Sequence, residues 1–180
     1  MEPSKENFIQ EVFKFSLIAL LIVIPFRIYV AQPFVVSGAS MSPTFETGQY
    51  LIIDQLSYRF DEPARLDVVI FRFPLEPSKF FIKRVIGLPG ETIEIRGNHI
   101  FIRSDGDITK LDEIYVDADN LREGFLTVEL KENEYFVLGD NRRASSDSRS
   151  WGPVEGELIV GKAFLRLLPL NEVGLYPGSL

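Results

Sequence analysis

Phe80-Phe81-Ile82-Lys83-Arg84-Val85-Ile86-Gly87-Leu88-Pro89-Gly90 reads as a β-strand stopped by a turn. Aromatic and β-branched residues fill positions 80–86, and Gly87, Pro89 and Gly90 end the run. Alternation along a pleated strand puts Phe81, Lys83 and Val85 on one face and Phe80, Ile82, Arg84 and Ile86 on the other. Each face carries one cation among apolar neighbours. The same short apolar pattern recurs on both sides. Residues 50–53 and 68–73 precede it, bounded by Gly48, Pro63 and Pro74. Residues 91–96 and 99–103 follow as a hairpin about Gly97 and Asn98, and 125–130, 135–138 and 158–168 complete the set. The fold class expected from this pattern is mainly β.

A charged side chain is almost never fully buried without a partner, so Lys83 and Arg84 each need an account. Placement on an edge strand, or snorkelling of the long stems, explains both on structural grounds alone. A chemical account prefers Lys83. An ammonium among apolar groups loses hydration and its pKa falls, whereas a guanidinium stays protonated. A free lysine titrates near ~10.4, so a base working near neutrality needs a drop of roughly 2 to 3 units. Phe81 and Val85 supply part of the apolar surroundings.

Upstream, Ser37-Gly38-Ala39-Ser40-Met41-Ser42-Pro43-Thr44 sets a serine in a stiff turn. Gly38 can take a positive φ, and Pro43 fixes its own φ while restricting Ser42. Such a turn can aim a hydroxyl, which makes Ser40 the candidate nucleophile; an ordinary loop is the alternative. Downstream, residues 139–149 gather Asp140, Arg142, Ser145, Asp147, Ser148 and Arg149. That composition suits a loop cross-braced by Asx turns and ion pairs, with or without chemistry attached.

Composition narrows the possibilities. A chain of 180 residues holds one modest core. With no cysteine, disulfides and thiolate metal sites are excluded. The one histidine, His99, falls at the hairpin tip; it cannot build a histidine metal site, and a Ser-His-Asp triad would have to use it. No metal and no cofactor is expected. The balance of 19 basic against 26 acidic residues, net −7, argues against a nucleic-acid partner. The acidic stretch 104–119 lacks the spacing of a calcium loop and reads as a solvated insertion without chemistry.

The beginning of the chain has a different character. Residues 1–14 form a polar tail of mixed charge; 15–26 carry no charge, and apolar residues resume after Arg27. A membrane span needs roughly 20 residues, so Lys14 and Arg27 would have to snorkel to opposite interfaces. A cleaved leader would need a basic start and an Ala-x-Ala site; this tail is acidic as well, and Gln32-Pro33-Phe34 follows. A buried core helix is a third reading. A membrane anchor over 15–31 is the expectation, although Lys5 and Lys14 against Arg27 barely decide its orientation.

Four stretches in this order resemble the bacterial type I signal peptidases: 37–44, 66–71, 81–90, and Gly139-Asp140-Asn141-Arg142 with Ser145, Asp147, Ser148 and Arg149. The resemblance runs from the anchor to Gly174. It implies an N-terminal transmembrane helix followed by a single antiparallel β-sheet or barrel-like catalytic domain of the signal peptidase and LexA type. The tail 1–14 would be cytoplasmic, 15–31 the anchor, and 32–180 the extracytoplasmic domain at the bacterial cytoplasmic membrane, with a short insertion around 97–125. The activity implied is a serine endopeptidase that cleaves signal peptides from exported preproteins through an acyl-enzyme. Ser40 would be the nucleophile, Lys83 the base and Ser145 the hydroxyl that orients the lysine. Asp140, Arg142, Asp147 and Arg149 would brace the loop, and the Ser40 backbone N–H would face the oxyanion.

Some relatives carry a second oxyanion serine two residues before the nucleophile; this chain has Gly38 there, as other branches of the family do, and the resemblance assigns no second donor. Arg143 and Ala144 also depart from the common pattern. The implied partners are membrane lipid and preproteins with small residues at the first and third positions before the cut. Phe34, Val35 and Met41 are candidates for pocket walls or lipid contact, with core packing as the alternative. Two other readings remain: a noncatalytic membrane-tethered β-module that binds exported chains, and a LexA-like self-cleaving peptidase, which would carry a DNA-binding domain in place of an anchor.

Overall fold

The computed structural model describes residues 5–29 and 31–179. Residues 1–4 of the expected tail, and Val30 of the expected anchor, lie outside the described residues. Helix α1 covers Lys5–Tyr29, so residues 5–14 continue the helix where a tail was expected, and Pro25 does not end it. Its apolar side chains over 8–24, including Phe13, Phe15 and Leu21, are exposed, and its main neighbour is strand β1 (Ala31–Val35). Among the described residues no helix is long and apolar enough to cross a membrane. The uncharged run 15–26 rises only ~18 Å against a hydrocarbon core of ~30 Å. The expectation of a transmembrane helix over 15–31 therefore finds no support in the length of the apolar segment, which Glu11 and Lys14 cut short on one side.

The remaining chain is mainly antiparallel β-structure, in two sheets where a single sheet or a barrel-like domain was expected. The larger sheet holds eight strands. Besides β1, these are β2 (Tyr50–Asp54), β3 (Val68–Phe73), β4 (Glu76–Gly87), β9 (Glu134–Leu138), β10 (Val154–Glu155), β11 (Ile159–Leu168) and β12 (Gly174–Leu175). They run in the order β1-β2-β11-β3-β4-β9-β10, with β12 paired to β11. The smaller sheet, β7-β6-β5-β8, is built from β5 (Thr92–Gly97), β6 (His99–Ser104), β7 (Asp107–Lys110) and β8 (Gly124–Glu129). The break comes at the end of β4. A Cβ on Gly87 would lie 2.7 Å from Ile93 and Leu130 side-chain carbons, so the small sheet packs directly against the strand end. The chain then reverses at Gly90, which has φ +78°.

Packing explains what alternation alone could not. Ile86, Phe136 and Leu138 of the large sheet meet Ile93, Ile95, Ile100 and Ile102 of the small one. A second cluster joins Val36, Met41, Phe45, Leu51, Ile53 and Ile70, and a third joins Val69, Phe71, Val85, Tyr135 and Val137. Full burial of such side chains contributes ~1.5 to 3 kcal/mol each. Strand β4 is hydrogen-bonded to β3 on one side and β9 on the other. It is an interior strand covered on both faces over 83–87, so neither edge placement nor snorkelling accounts for Lys83 and Arg84.

Candidate active site

Ser40 sits in the loop between β1 and β2. Backbone bonds close the neck of that loop, Val36 N to Gln49 O and Gly48 N to Val36 O, both 2.9 Å. Gly38 supplies the turn with φ +93°. Met41 and Phe45 are buried and pin the loop to the core, which makes Met41 a packing residue and leaves Phe34 and Val35 as the cleft-lining pair. Because the loop is anchored at both ends, the Ser40 side chain is held over β4. Its Oγ lies 2.8 Å from Lys83 Nζ, and Nζ also donates to the Ile82 carbonyl at 2.8 Å.

Lys83 is only 4% exposed, and its Nζ stands 5.2 Å from the centre of the Phe81 ring. Burial pulls the ammonium down to about 8, opposed by attraction from Asp147 and then Asp140. An amine so placed is neutral in a useful fraction of molecules near neutrality and can accept a proton from a hydroxyl in hydrogen-bond contact.

Asp140 ties the two halves of this arrangement together. Arg84, next to Lys83 but pointing to the opposite face, donates from Nε and Nη2 to the two Asp140 oxygens at 2.9 and 2.7 Å. Thr44 of the serine loop donates to Asp140 Oδ2 at 2.6 Å. Arg84 Nη1 donates to the carbonyls of Leu66 and Gly178, and its guanidinium lies over the Tyr115 ring. Arg142 does not pair with Asp140. It donates to the Gly139 carbonyl at 2.9 Å and pairs with Glu113. Asp147 accepts from Arg149 Nε and Nη2, both at 2.7 Å, and from Gly139 N at 3.2 Å. Arg149 Nη2 also reaches the Arg142 carbonyl at 2.8 Å. The structure thus brings Ser40, Lys83, Asp140, Arg142, Asp147 and Arg149 into one connected region.

A family model described as "Signal peptidase, peptidase S26" matches residues 9–168. The chain belongs to the peptidase S26 signal peptidase family. It is 36% identical to the probable signal peptidase I-2 of a Synechocystis species, over 97% of this chain and 80% of that one. Signal peptidase I of Leptolyngbya laminosa is 33% identical over 96% of this chain and 86% of its own. Signal peptidase I V of Bacillus subtilis is 34% identical, covering 83% and 93%. A solved signal peptidase I from Enterococcus faecalis is 32% identical and superposes with a TM-score of 0.49, over 57% of this chain and 97% of that one.

One expected contact of this signal peptidase is not made. Ser145 is buried, but its Oγ has no hydrogen-bond partner among the described residues, and the Ile82 carbonyl holds Lys83 Nζ instead. Ser145 lies close by: a Cβ on Gly139 would stand 2.3 Å from Ser145 Oγ and 2.4 Å from the Ser40 carbonyl oxygen. The Ser40 carbonyl accepts from Asn141 N at 3.0 Å, whereas the Ser40 N–H donates to nothing among the described residues. A cleft of about 460 Å³ opens beside these groups, walled by Phe34, Val35, Leu51, Ile70, Phe80 and Ile82. His99 is exposed at the start of β6, on the other sheet. Among the described residues no group of His, Asp or Glu side chains could hold a metal ion.

The partners of several supporting residues of this family member escaped the sequence reading. Arg84 had a signal, a cation among the apolar residues of a strand, but its acceptors had none. Glu113 and Tyr115 had none, because they lie in the stretch read as a solvated insertion, and Asn120 directly follows it. They pack behind the site only in three dimensions: Tyr115 under Arg84, Glu113 on Arg142, and Asn120 Nδ2 donating to the Ser42 carbonyl at 3.1 Å.

Proposed function

We propose that this chain is a membrane-bound serine endopeptidase that removes N-terminal signal peptides from exported preproteins, with Ser40 and Lys83 as its dyad. The observation that carries the reading is the 2.8 Å contact between Ser40 Oγ and a buried Lys83 Nζ that forms no salt bridge among the described residues. Neutral Lys83 takes the Ser40 proton while Oγ attacks the carbonyl carbon of the bond after the signal sequence. The oxyanion forms against the Ser40 backbone N–H, which has no other acceptor to give up. As the C–N bond breaks, the Lys83 ammonium protonates the leaving amine. Water then gives a proton to Lys83, attacks the ester, and releases the signal peptide carboxylate as Ser40 regains its proton.

Ser145 enters this reading as the hydroxyl that steadies the lysine once substrate is bound, supported by its buried and uncommitted Oγ. Asp140, Arg142, Asp147 and Arg149 hold the loop. The aromatic and branched walls of the cleft favour small side chains at the first and third positions before the cut, because a bulky group would clash before gaining contact. The placement is at the bacterial cytoplasmic membrane, with 1–14 on the cytoplasmic side, the segment 15–31 in lipid and 32–180 outside. Support comes from α1, whose apolar side chains are exposed over 8–24. An uncovered apolar helix calls for an apolar surrounding.

The test is incubation of the detergent-solubilised chain with a preprotein, beside Ser40→Ala and Lys83→Ala. Cleavage after the signal sequence by the parent and none by either variant is expected. A parent that binds without cutting would leave the noncatalytic β-module as the reading, and retained cleavage by Lys83→Ala would remove the dyad.

A further inference from the structure

Residues 174–179 lie beyond the span that the family model matches, yet they reach the underside of the proposed dyad. Strand β12 pairs with β11, Leu175 opposite Leu165 and Gly174 opposite Arg166. Tyr176 N then donates to the Phe164 carbonyl at 2.7 Å, and the Tyr176 ring meets Phe164 edge-on with centroids 5.3 Å apart. These contacts aim the following residues at the site. Gly178 arrives with φ +83°, and a Cβ built there would stand 3.0 Å from both Thr44 and Phe45 of the serine loop and 3.2 Å from Val68 of β3. The Gly178 carbonyl accepts from Arg84 Nη1 at 2.6 Å.

Arg84 is fully buried and cannot lose its charge, so its donors require fixed acceptors. Asp140 takes two of them; the carbonyls of Leu66 and Gly178 share Nη1. Gly178 is therefore in contact with both elements that carry the reacting groups: the loop of Ser40 through Thr44 and Phe45, and the strand of Lys83 through Arg84.

We infer that residues 174–179 form a positioning strap for the reaction, in which Gly178 seats the Ser40 loop and fixes Arg84, and so holds Lys83 at bonding distance from Ser40. The inference rests on the dyad reading above. Misplacement of catalytic groups by as little as ~1 Å can lower a rate ~100-fold, so loss of the strap acts on turnover even where the sheets stay folded.

The experiment compares the solubilised parent with three variants: a chain ending at Ser179, a chain ending at Leu175 that keeps β12, and Gly178→Ala. Active sites are counted with an acylating inhibitor, and kcat is expressed per counted site on a preprotein substrate. The chain ending at Ser179 should match the parent. The chain ending at Leu175 and Gly178→Ala should lose about tenfold or more in kcat per site, with KM within about twofold. A purely structural role would lower the number of sites and leave kcat per site alone, and that result overturns the inference. A parent that cleaves nothing removes the dyad reading, and the strap falls with it; a parent that cleaves, with both strap variants matching it, removes the strap alone.

Discussion

Arg84 and Asp140 face each other with both side chains wholly out of water, joined by two hydrogen bonds of 2.9 and 2.7 Å. Removing one member of a buried pair leaves the other charge uncompensated, at a cost of about 3 to 5 kcal/mol. Asp140→Asn should therefore lower the denaturation midpoint strongly. It should also cut activity beyond the loss of folded protein, because Thr44 gives up its charged acceptor. Chemical denaturation with parallel cleavage assays checks both parts; an unchanged midpoint would show that Arg84 finds another acceptor.

Gly139→Ala should be nearly inactive. The added Cβ would fall 2.4 Å from the Ser40 carbonyl oxygen and 2.3 Å from Ser145 Oγ. A serine side chain can rotate away, but a backbone carbonyl cannot without moving the residue that bears it. We expect a fall in kcat of about 100-fold, with overall fold retained by circular dichroism.

Lys83 gives two linked expectations. With its ammonium lowered to about 8, kcat/KM should rise with pH to a plateau above that value, and at pH 7 roughly a tenth of the molecules carry the base form. The same shift bears on stability. Below pH 8 the amine is protonated in both folded and unfolded chains, and the full cost of burying the charge, about 3 kcal/mol, is present. Between 8 and 10.5 only the unfolded chain keeps the proton, so stability rises with pH. Lys83→Met should thus abolish cleavage while raising the melting temperature at pH 7 by several degrees, an advantage that shrinks as pH approaches 10.5. Melting curves across that range decide the matter.

Glu113→Gln tests the stretch read from sequence as a solvated insertion. Arg142 is buried and pairs with Glu113; neutralising the partner should cost about 2 kcal/mol and loosen the Arg142 bond to the Gly139 carbonyl. We expect a lower denaturation midpoint and a severalfold drop in kcat. A change no larger than that of an exposed control such as Glu123→Gln would return the stretch to a solvent role.

The β-strands of the large sheet were legible because Val, Ile and Phe alternate in short runs between Gly and Pro. Ser40 and Lys83 were candidates because each sits in an unusual local setting, a stiff glycine turn and a cation among apolar residues, and the ordered motifs joined them. Arg84 was seen as anomalous but not explained: its acceptors come from residues 66, 140 and 178, and no local pattern connects them. The division into two sheets depends on how closely Ile93 of β5 and Leu130, just after β8, approach Gly87, a matter of packing rather than periodicity. The mixed charge of 5–14 suggests a tail and hides its helical state, although those residues include neither Gly nor Pro to oppose a helix.

Strand β4 places two cations side by side, one aimed at Ser40 and the other at Asp140. A slip of one residue in its pairing would move Arg84 into the place of Lys83 or Lys83 into the place of Arg84, according to its direction. In the first case guanidinium, which does not act as a base, would stand against the hydroxyl; in the second the primary amine would be neutralised by a carboxylate. Misregistered molecules would be compact but inert, so the unlike chemistry of two consecutive positions serves as a proofreading mark for the assembly of the sheet.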